Sequence, residues 1–181
     1  AGDKEGTDEN PATEGNFTFT GSTMRTFDDM FINANGNVVI NNSEDKDNEI
    51  SAGKDLTIIA KTLAGVDEAP AIVGGAKAGN DLTISVEGAL DIQYALTAYR
   101  DMYLSGASVS NGPAILTTDT GDITITALEG DITFDDPESS IAAGSNRYFM
   151  TASDDINVMA LSTATNKTPI IASKLIARKP L

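Results

Sequence analysis

Adjacent carboxylates are the side chains here whose type and spacing could do chemistry. They stand at Asp28-Asp29, at Asp135-Asp136 with Glu138, and at Asp154-Asp155. Two carboxyl groups flanking a glycosidic bond can hydrolyse it, one as acid and the other as base or nucleophile. In a chain of net charge −15, neighbouring acids read instead as a solvated face. The chain has no His and no Cys. That removes Ser-His-Asp and Cys-His nucleophiles, His- or Cys-based zinc sites and disulfides. Gly74-Gly75-Ala76-Lys77 lacks the spacing and the following Ser or Thr of a phosphate-binding loop. A lyase would place a basic residue beside its acids. Arg100-Asp101 is such a pair at a strand start, but it occupies the same position as Lys54-Asp55 and reads as structure. No enzyme activity is expected.

Calcium is the candidate cofactor. Residues 42–49 read Asn-Ser-Glu-Asp-Lys-Asp-Asn-Glu, so Glu44, Asp45, Asp47 and Glu49 are the candidate ligands. Hard cations prefer such oxygen-rich loops. The segment lacks the Asp-x-Asp-x-Asp-Gly spacing of an EF-hand. Nucleic acid is not an expected partner, because a surface this acidic repels phosphate. Asn16-Phe-Thr, Asn41-Asn-Ser and Asn166-Lys-Thr form glycosylation triplets, about as many as chance supplies in so polar a chain.

The elements that position these residues repeat. Ala-Gly-Lys-Asp-Leu-Thr-Ile at 52–58 returns as Ala-Gly-Asn-Asp-Leu-Thr-Ile at 78–84. Looser copies lie at 34–40, 98–104, 119–125 and 152–158. The Asp or Asn before each apolar-x-apolar unit gives markers at Asn37, Asp55, Asp81, Asp101, Asp122 and Asp155, with gaps of 18, 26, 20, 21 and 33 residues. Such a period marks a repeat architecture. Each copy is a corner followed by a strand. Leu56 and Ile58 share one face and Thr57 points the other way. Gly with Asp or Asn turns the chain before the strand. Gly130-Asp131-Ile132-Thr133-Phe134 follows the copy at Asp122 closely enough to be a second side of one rung, and residues 88–95 and 113–117 fit further sides. Segments 67–78 and 135–146 read as insertions. The spacing predicts an all-β parallel solenoid, with Leu56, Ile58, Leu82, Ile84, Met102, Leu104, Ile123 and Ile125 in one core. An antiparallel β-sandwich is the alternative, since many short strands with turns read similarly.

Three regions differ in composition. Residues 1–15 hold five acids, one Lys and no large apolar side chain, which predicts an acidic flexible arm. Residues 16–166 form the solenoid domain. Residues 167–181 form a basic, apolar final segment with Ile170, Ile171, Lys174, Leu175, Ile176, Arg178 and Lys179 and no acid. Phe17 and Phe19 alternate with Thr in a strand that either caps the first rung or adds to a neighbouring molecule. The polar start, without an initiator Met, reads as a processed end or an excised fragment, and an exported protein is expected. No apolar run is long enough to cross a membrane as a helix.

The phrases at 52–58, 78–84 and 121–134 resemble repeats of filamentous-haemagglutinin-type bacterial surface proteins. The resemblance spans residues 34–158. It implies a right-handed parallel β-helix and an extracellular or cell-surface location, and no binding residue carries over. The chain departs from that family in its short length, its varying repeat length and the lack of a recognisable export domain. The reading is an exported structural or adhesive β-solenoid. Its identical subunits would join head to tail into a filament or surface layer through Phe17, Phe19, Ile170, Ile171, Lys174, Arg178 and Lys179. A host or cell-surface glycan is the other candidate partner. The alternative is a carbohydrate-binding or carbohydrate-cleaving β-helix protein. Such a protein should gather aromatics along a groove, whereas here the aromatic positions are scattered through the sequence.

Overall fold

The structure is a computed structural model, and it describes residues 15, 17–20, 23–36, 38–41, 50–60, 71–73, 75–92, 94–111, 115–134, 140–145, 148–152, 156–158 and 174–177. Among these residues there are strands and no helix. The chain opens with β1 (Phe17–Thr20), β2 (Met24–Thr26), β3 (Met30–Ala34) and β4 (Val38–Asn41). Next come β5 (Ile50–Ala52), β6 (Leu56–Ala60), β7 (Ala71–Val73), β8 (Ala76–Ala78), β9 (Leu82–Val86) and β10 (Leu90–Ile92). Then follow β11 (Leu96–Ala98), β12 (Met102–Gly106), β13 (Val109–Asn111), β14 (Ile115–Thr118), β15 (Ile123–Ala127) and β16 (Ile132–Phe134). The last strands are β17 (Ser140–Ala142), β18 (Tyr148–Ala152), β19 (Ile156–Val158) and β20 (Lys174–Ala177).

Up to β19, strands pair with those three places away in sequence, β20 pairs with β18, and all the pairing is parallel. One side of the coil stacks β2, β5, β8, β11, β14 and β17. The second stacks β3, β6, β9, β12, β15, β18 and β20. The third runs β7, β10, β13, β16 and β19, with β4 packed beside β7 and β1 paired to β4. The protein is therefore a three-sided parallel β-solenoid. Parallel pairing throughout the described strands rules out the antiparallel sandwich.

The register explains why the corner motif repeats. Leu56, Leu82, Met102 and Ile123 pair in one inward row, and Ile58, Ile84, Leu104 and Ile125 in the next. All eight are buried, as expected, while Thr57, Thr83 and Thr124 are half-buried and Tyr103 is exposed. A single hydrophobic cluster runs from Ile32 to Ala152. Inward positions beside the corners are small. Ala34, Ala60, Val86, Gly106, Ala127 and Ala152 end the second side, and Ala52, Ala78 and Ala98 end the first. Two walls converge there and leave no room for a Leu. Among the described residues Thr118 is the buried polar exception. Its hydroxyl donates to the Gly121 carbonyl at 2.7 Å and accepts from the Gly144 N–H at 3.0 Å, so its burial costs little.

Several expectations need correction. Asn37 and Asp155 precede β4 and β19, which lie on the third side, so they do not mark the corner shared by Asp55, Asp81, Asp101 and Asp122. The true first member of that corner is Asp29, which lacks the Ala-Gly signature. Segment 67–78 is not an insertion, because it contains β7 and β8. Segment 135–146 likewise contains β17. The rungs differ in length through residues 42–49 and 61–70, which lie outside the described residues. β1 forms part of the coil. Its pairing joins Phe17 to Val38 and Phe19 to Ile40, and both Phe side chains pack partly buried against the core. It caps the first rung.

Candidate functional site

The corner between the first and second sides carries the ordered polar chemistry. It turns in three residues: Phe27-Asp28-Asp29, Gly53-Lys54-Asp55, Gly79-Asn80-Asp81 and Tyr99-Arg100-Asp101. The next corner, Asp119-Thr120-Gly121-Asp122, has one residue more. Backbone bonds hold these turns in register. Gly53 N–H donates to the Thr26 carbonyl at 2.9 Å, Gly79 N–H to Ala52 at 2.9 Å and Tyr99 N–H to Ala78 at 3.2 Å. Gly is needed at two of these corners because the backbones nearly touch. A Cβ on Gly53 would lie 2.3 Å from the Phe27 carbonyl oxygen, and one on Gly79 would lie 2.0 Å from the Gly53 carbonyl oxygen.

The last corner residue builds an aspartate ladder. Asp55 N–H donates to Asp29 Oδ1 at 3.2 Å, and Asp81 N–H to Asp55 Oδ1 at 3.2 Å. Asp101 N–H donates to Asp81 Oδ1 at 3.1 Å, and Asp122 N–H to Asp101 Oδ1 at 2.8 Å. Each carboxylate thus accepts from the backbone of the following rung. Stacked like charges repel, and Arg100 offsets this at Asp81. Arg100 grips Asp81 with two bonds, Nε to Oδ1 at 3.1 Å and Nη2 to Oδ2 at 2.8 Å. That bonding, with the Asp81 charge, raises the guanidinium further above its high ordinary value. Lys54 reaches Asp28 at 2.7 Å, but both are largely exposed and the pair contributes little to stability. Partial burial pushes the Tyr103 phenol above its usual value, and the nearby Asp101 carboxylate, to which it donates at 3.3 Å, adds to the shift.

This geometry gives Asp28 and Asp29 structural roles, one in an ion pair and one as a ladder acceptor. Arg100 and Asp101 likewise hold neighbouring rungs together. The ladder makes a sharp expectation. Asp55→Ala leaves the Asp81 N–H without its acceptor and should cost about 1–3 kcal/mol. Asp55→Asn keeps an acceptor oxygen and should change stability by less than about 0.5 kcal/mol. Urea unfolding of the two variants separates these. Equal losses would show that the charge, and not the acceptor, matters.

Beside the crest of the ladder lies an open groove of about 600 Å³. Its floor is Gly53 and Gly79, its side wall carries Arg25, Ser51 and Lys77, and Phe27 stands at one end. Phe27 is 97% exposed. Tyr99, 51% exposed, occupies the same corner position one rung beyond Gly79. The neighbouring outward row of the second side repeats the arrangement. Phe31, 63% exposed, pairs to Thr57, which pairs to Thr83, which pairs to Tyr103, 44% exposed. Phe149 follows in that row after Thr124. The coil therefore gathers the exposed aromatics of the described residues on one side. Sequence reasoning missed this, because aligning Phe27 with Tyr99 requires the lengths of three rungs, of which the third is shorter than the first two.

Glu44, Asp45, Asp47 and Glu49 lie outside the described residues, as do Asp135, Asp136, Glu138, Asp154, Asp155, Ile170, Ile171, Arg178 and Lys179. Lys174 opens β20, opposite Phe149. Among the described residues no three acids stand close enough to hold a metal ion, and no helix is long and apolar enough to cross a membrane. Comparison of the chain with protein-family models, with curated proteins and with solved structures finds no match. Function has to be argued from the site, because the fold alone does not imply it.

Proposed function

We propose that this chain is an extracellular or cell-surface structural and adhesive element whose identical subunits join end to end. The observation that carries this reading is the form of its largest sheet. That sheet is parallel from β3 to β20. Among the described residues β3 pairs only with β6, and β20 only with β18. The outer edge of a terminal parallel strand presents backbone donors and acceptors that match those of the opposite end. Such edges invite pairing. A contact between unlike ends is heterologous, so it extends into a filament unless it closes as a ring.

Charge supports the same polarity. Asp3, Glu5, Asp8, Glu9 and Glu14 precede the coil, while Lys167, Lys174, Arg178 and Lys179 cluster in residues 167–181. Opposite charges would set the direction and rate of encounter, while strand pairing and apolar burial supply most of the affinity. The resemblance of residues 34–158 to exported adhesin repeats supports the location. The lack of His and Cys supports a role other than catalysis.

The test removes residues 1–14 and keeps β1, whose Phe17 and Phe19 belong to the core. Sedimentation velocity should show large species for the whole chain and mostly monomer for the shortened one. Undiminished association after the deletion would overturn the role of the acidic segment.

A further inference from the structure

We propose that the groove floored by Gly53 and Gly79 binds a neutral, extended β-1,4-linked glycan, with sugar rings stacked on Phe27 and Tyr99. This deepens the adhesive part of the function proposed above and is independent of end-to-end association. Four features of the groove and of the corner that continues it to Tyr99 point to this ligand.

The first is Phe27. A side chain 97% exposed holds a full aromatic ring in water. Contiguous exposed apolar surface rimmed by polar residues marks binding surfaces, and Phe31, also exposed, stands on the next side of the same rung. Sugar rings carry an apolar C–H face that stacks on such a ring, and hydroxyls around the edge that need polar partners.

The second is the wall. Arg25, Ser51 and Lys77 lie in one outward row, paired Arg25 to Ser51 to Lys77. Ser51 and Lys77 offer donors along one flank, and Ser51 also offers an acceptor. The third is the floor. Glycine leaves the backbone bare, so a flat chain can lie against it. Any side chain at Gly53 or Gly79 would collide with the backbone of the preceding rung, so the corner stays bare.

The fourth is length. Phe27 and Tyr99 occupy equivalent corners three rungs apart. Parallel strands stack ~4.8 Å apart, so the two rings are separated by about 14 Å along the axis. A pyranose in an extended β-1,4 chain advances by nearly one strand spacing. Successive sugars would keep step with successive rungs, and both aromatics could be met by one straight oligosaccharide. A coiled α-1,4 chain cannot keep that step. A neutral chain also avoids repulsion from the neighbouring aspartate ladder.

Calorimetric titration of the whole chain with cellohexaose should show binding, and maltohexaose should not bind. Backbone amide shifts of Gly53 and Gly79 should move on adding cellohexaose. Phe27→Ala and Tyr99→Ala should each weaken binding by roughly three- to tenfold. Leu128→Ala, an exposed apolar change at another corner, should leave it unchanged. Both aromatics are exposed, so these variants should fold, and the amide shifts report on the groove without any variant. No binding of cellohexaose, equal binding of maltohexaose, or binding unaltered in both aromatic variants would overturn the proposal. So would a finding that Phe27→Ala only dissociates a dimer, which would make this face a contact between copies of the chain.

Discussion

Leu82→Ala is expected to lower the free energy of unfolding by about 2–5 kcal/mol, and by the upper half of that range. Leu82 is fully buried and sits in register between Leu56 and Met102. The cost of such a truncation depends on how far the surroundings collapse into the space. Here they are pinned. Each neighbour belongs to a strand hydrogen-bonded on both edges, and the Leu82 N–H itself donates to the Asp101 carbonyl at 2.9 Å. Rungs cannot move inward without breaking the ladder on three sides. The cavity should stay open. Thr83→Ala, one residue away and pointing outward, should change stability by less than about 0.5 kcal/mol. Urea unfolding monitored by circular dichroism gives both values. A small loss at Leu82 would mean that the core is looser than the stacked rows imply.

Gly79→Ala should be nearly as damaging, although it adds a single methyl to a half-buried turn. The Cβ would lie 2.0 Å from the Gly53 carbonyl oxygen and 2.6 Å from its carbon. That obstacle is backbone, which cannot rotate away like a side chain. The two rungs must part, which lengthens the Gly79 N–H to Ala52 bond and strains the Asp81 to Asp55 step of the ladder. Overpacking of this kind costs about 1–3 kcal/mol, and more where the backbone is fixed on both sides. Gly130→Ala is the comparison. Its Cβ would meet nothing closer than 3.5 Å, so it should be tolerated. Loss of stability at Gly130 with none at Gly79 would contradict the close stacking of the first corner.

The solenoid was legible because one short phrase does two jobs. In Asp81-Leu82-Thr83-Ile84 the alternation sets the inward face and the Asp sets the corner, and near-identical copies announce that the rungs stack. Where only one of those jobs is done by familiar residues, the reading failed. Asp29 follows Phe27-Asp28, with no Gly to mark the turn, so the first step of the aspartate ladder was invisible. β7, β8 and β17 are three residues each, too short for a clear alternation, and they hid inside what read as insertions. Asn37 and Asp155 looked like the same corner because Asp or Asn before an apolar pair serves any side of the coil.

The candidate site was less legible than the fold. Arg100-Asp101 lies in the same corner as Lys54-Asp55, as their likeness in sequence implied. Its partner is Asp81, one rung back. Nothing in the spacing of single residues shows which acid an Arg will grip across a rung. The groove is harder still. Phe27, Gly53, Gly79 and Tyr99 share no motif, and they form a line only after rungs of 26, 26 and 20 residues are closed into a coil. An aromatic count by sequence scatters them. The register of parallel strands brings them to one face.

The proposed joining of unlike ends would extend this coil into a filament. Negative-stain electron microscopy of the purified 181-residue chain checks this. End-to-end association predicts rods one solenoid wide whose lengths vary and grow with protein concentration. Uniform particles the length of a single coil, unchanged as concentration rises, would contradict it.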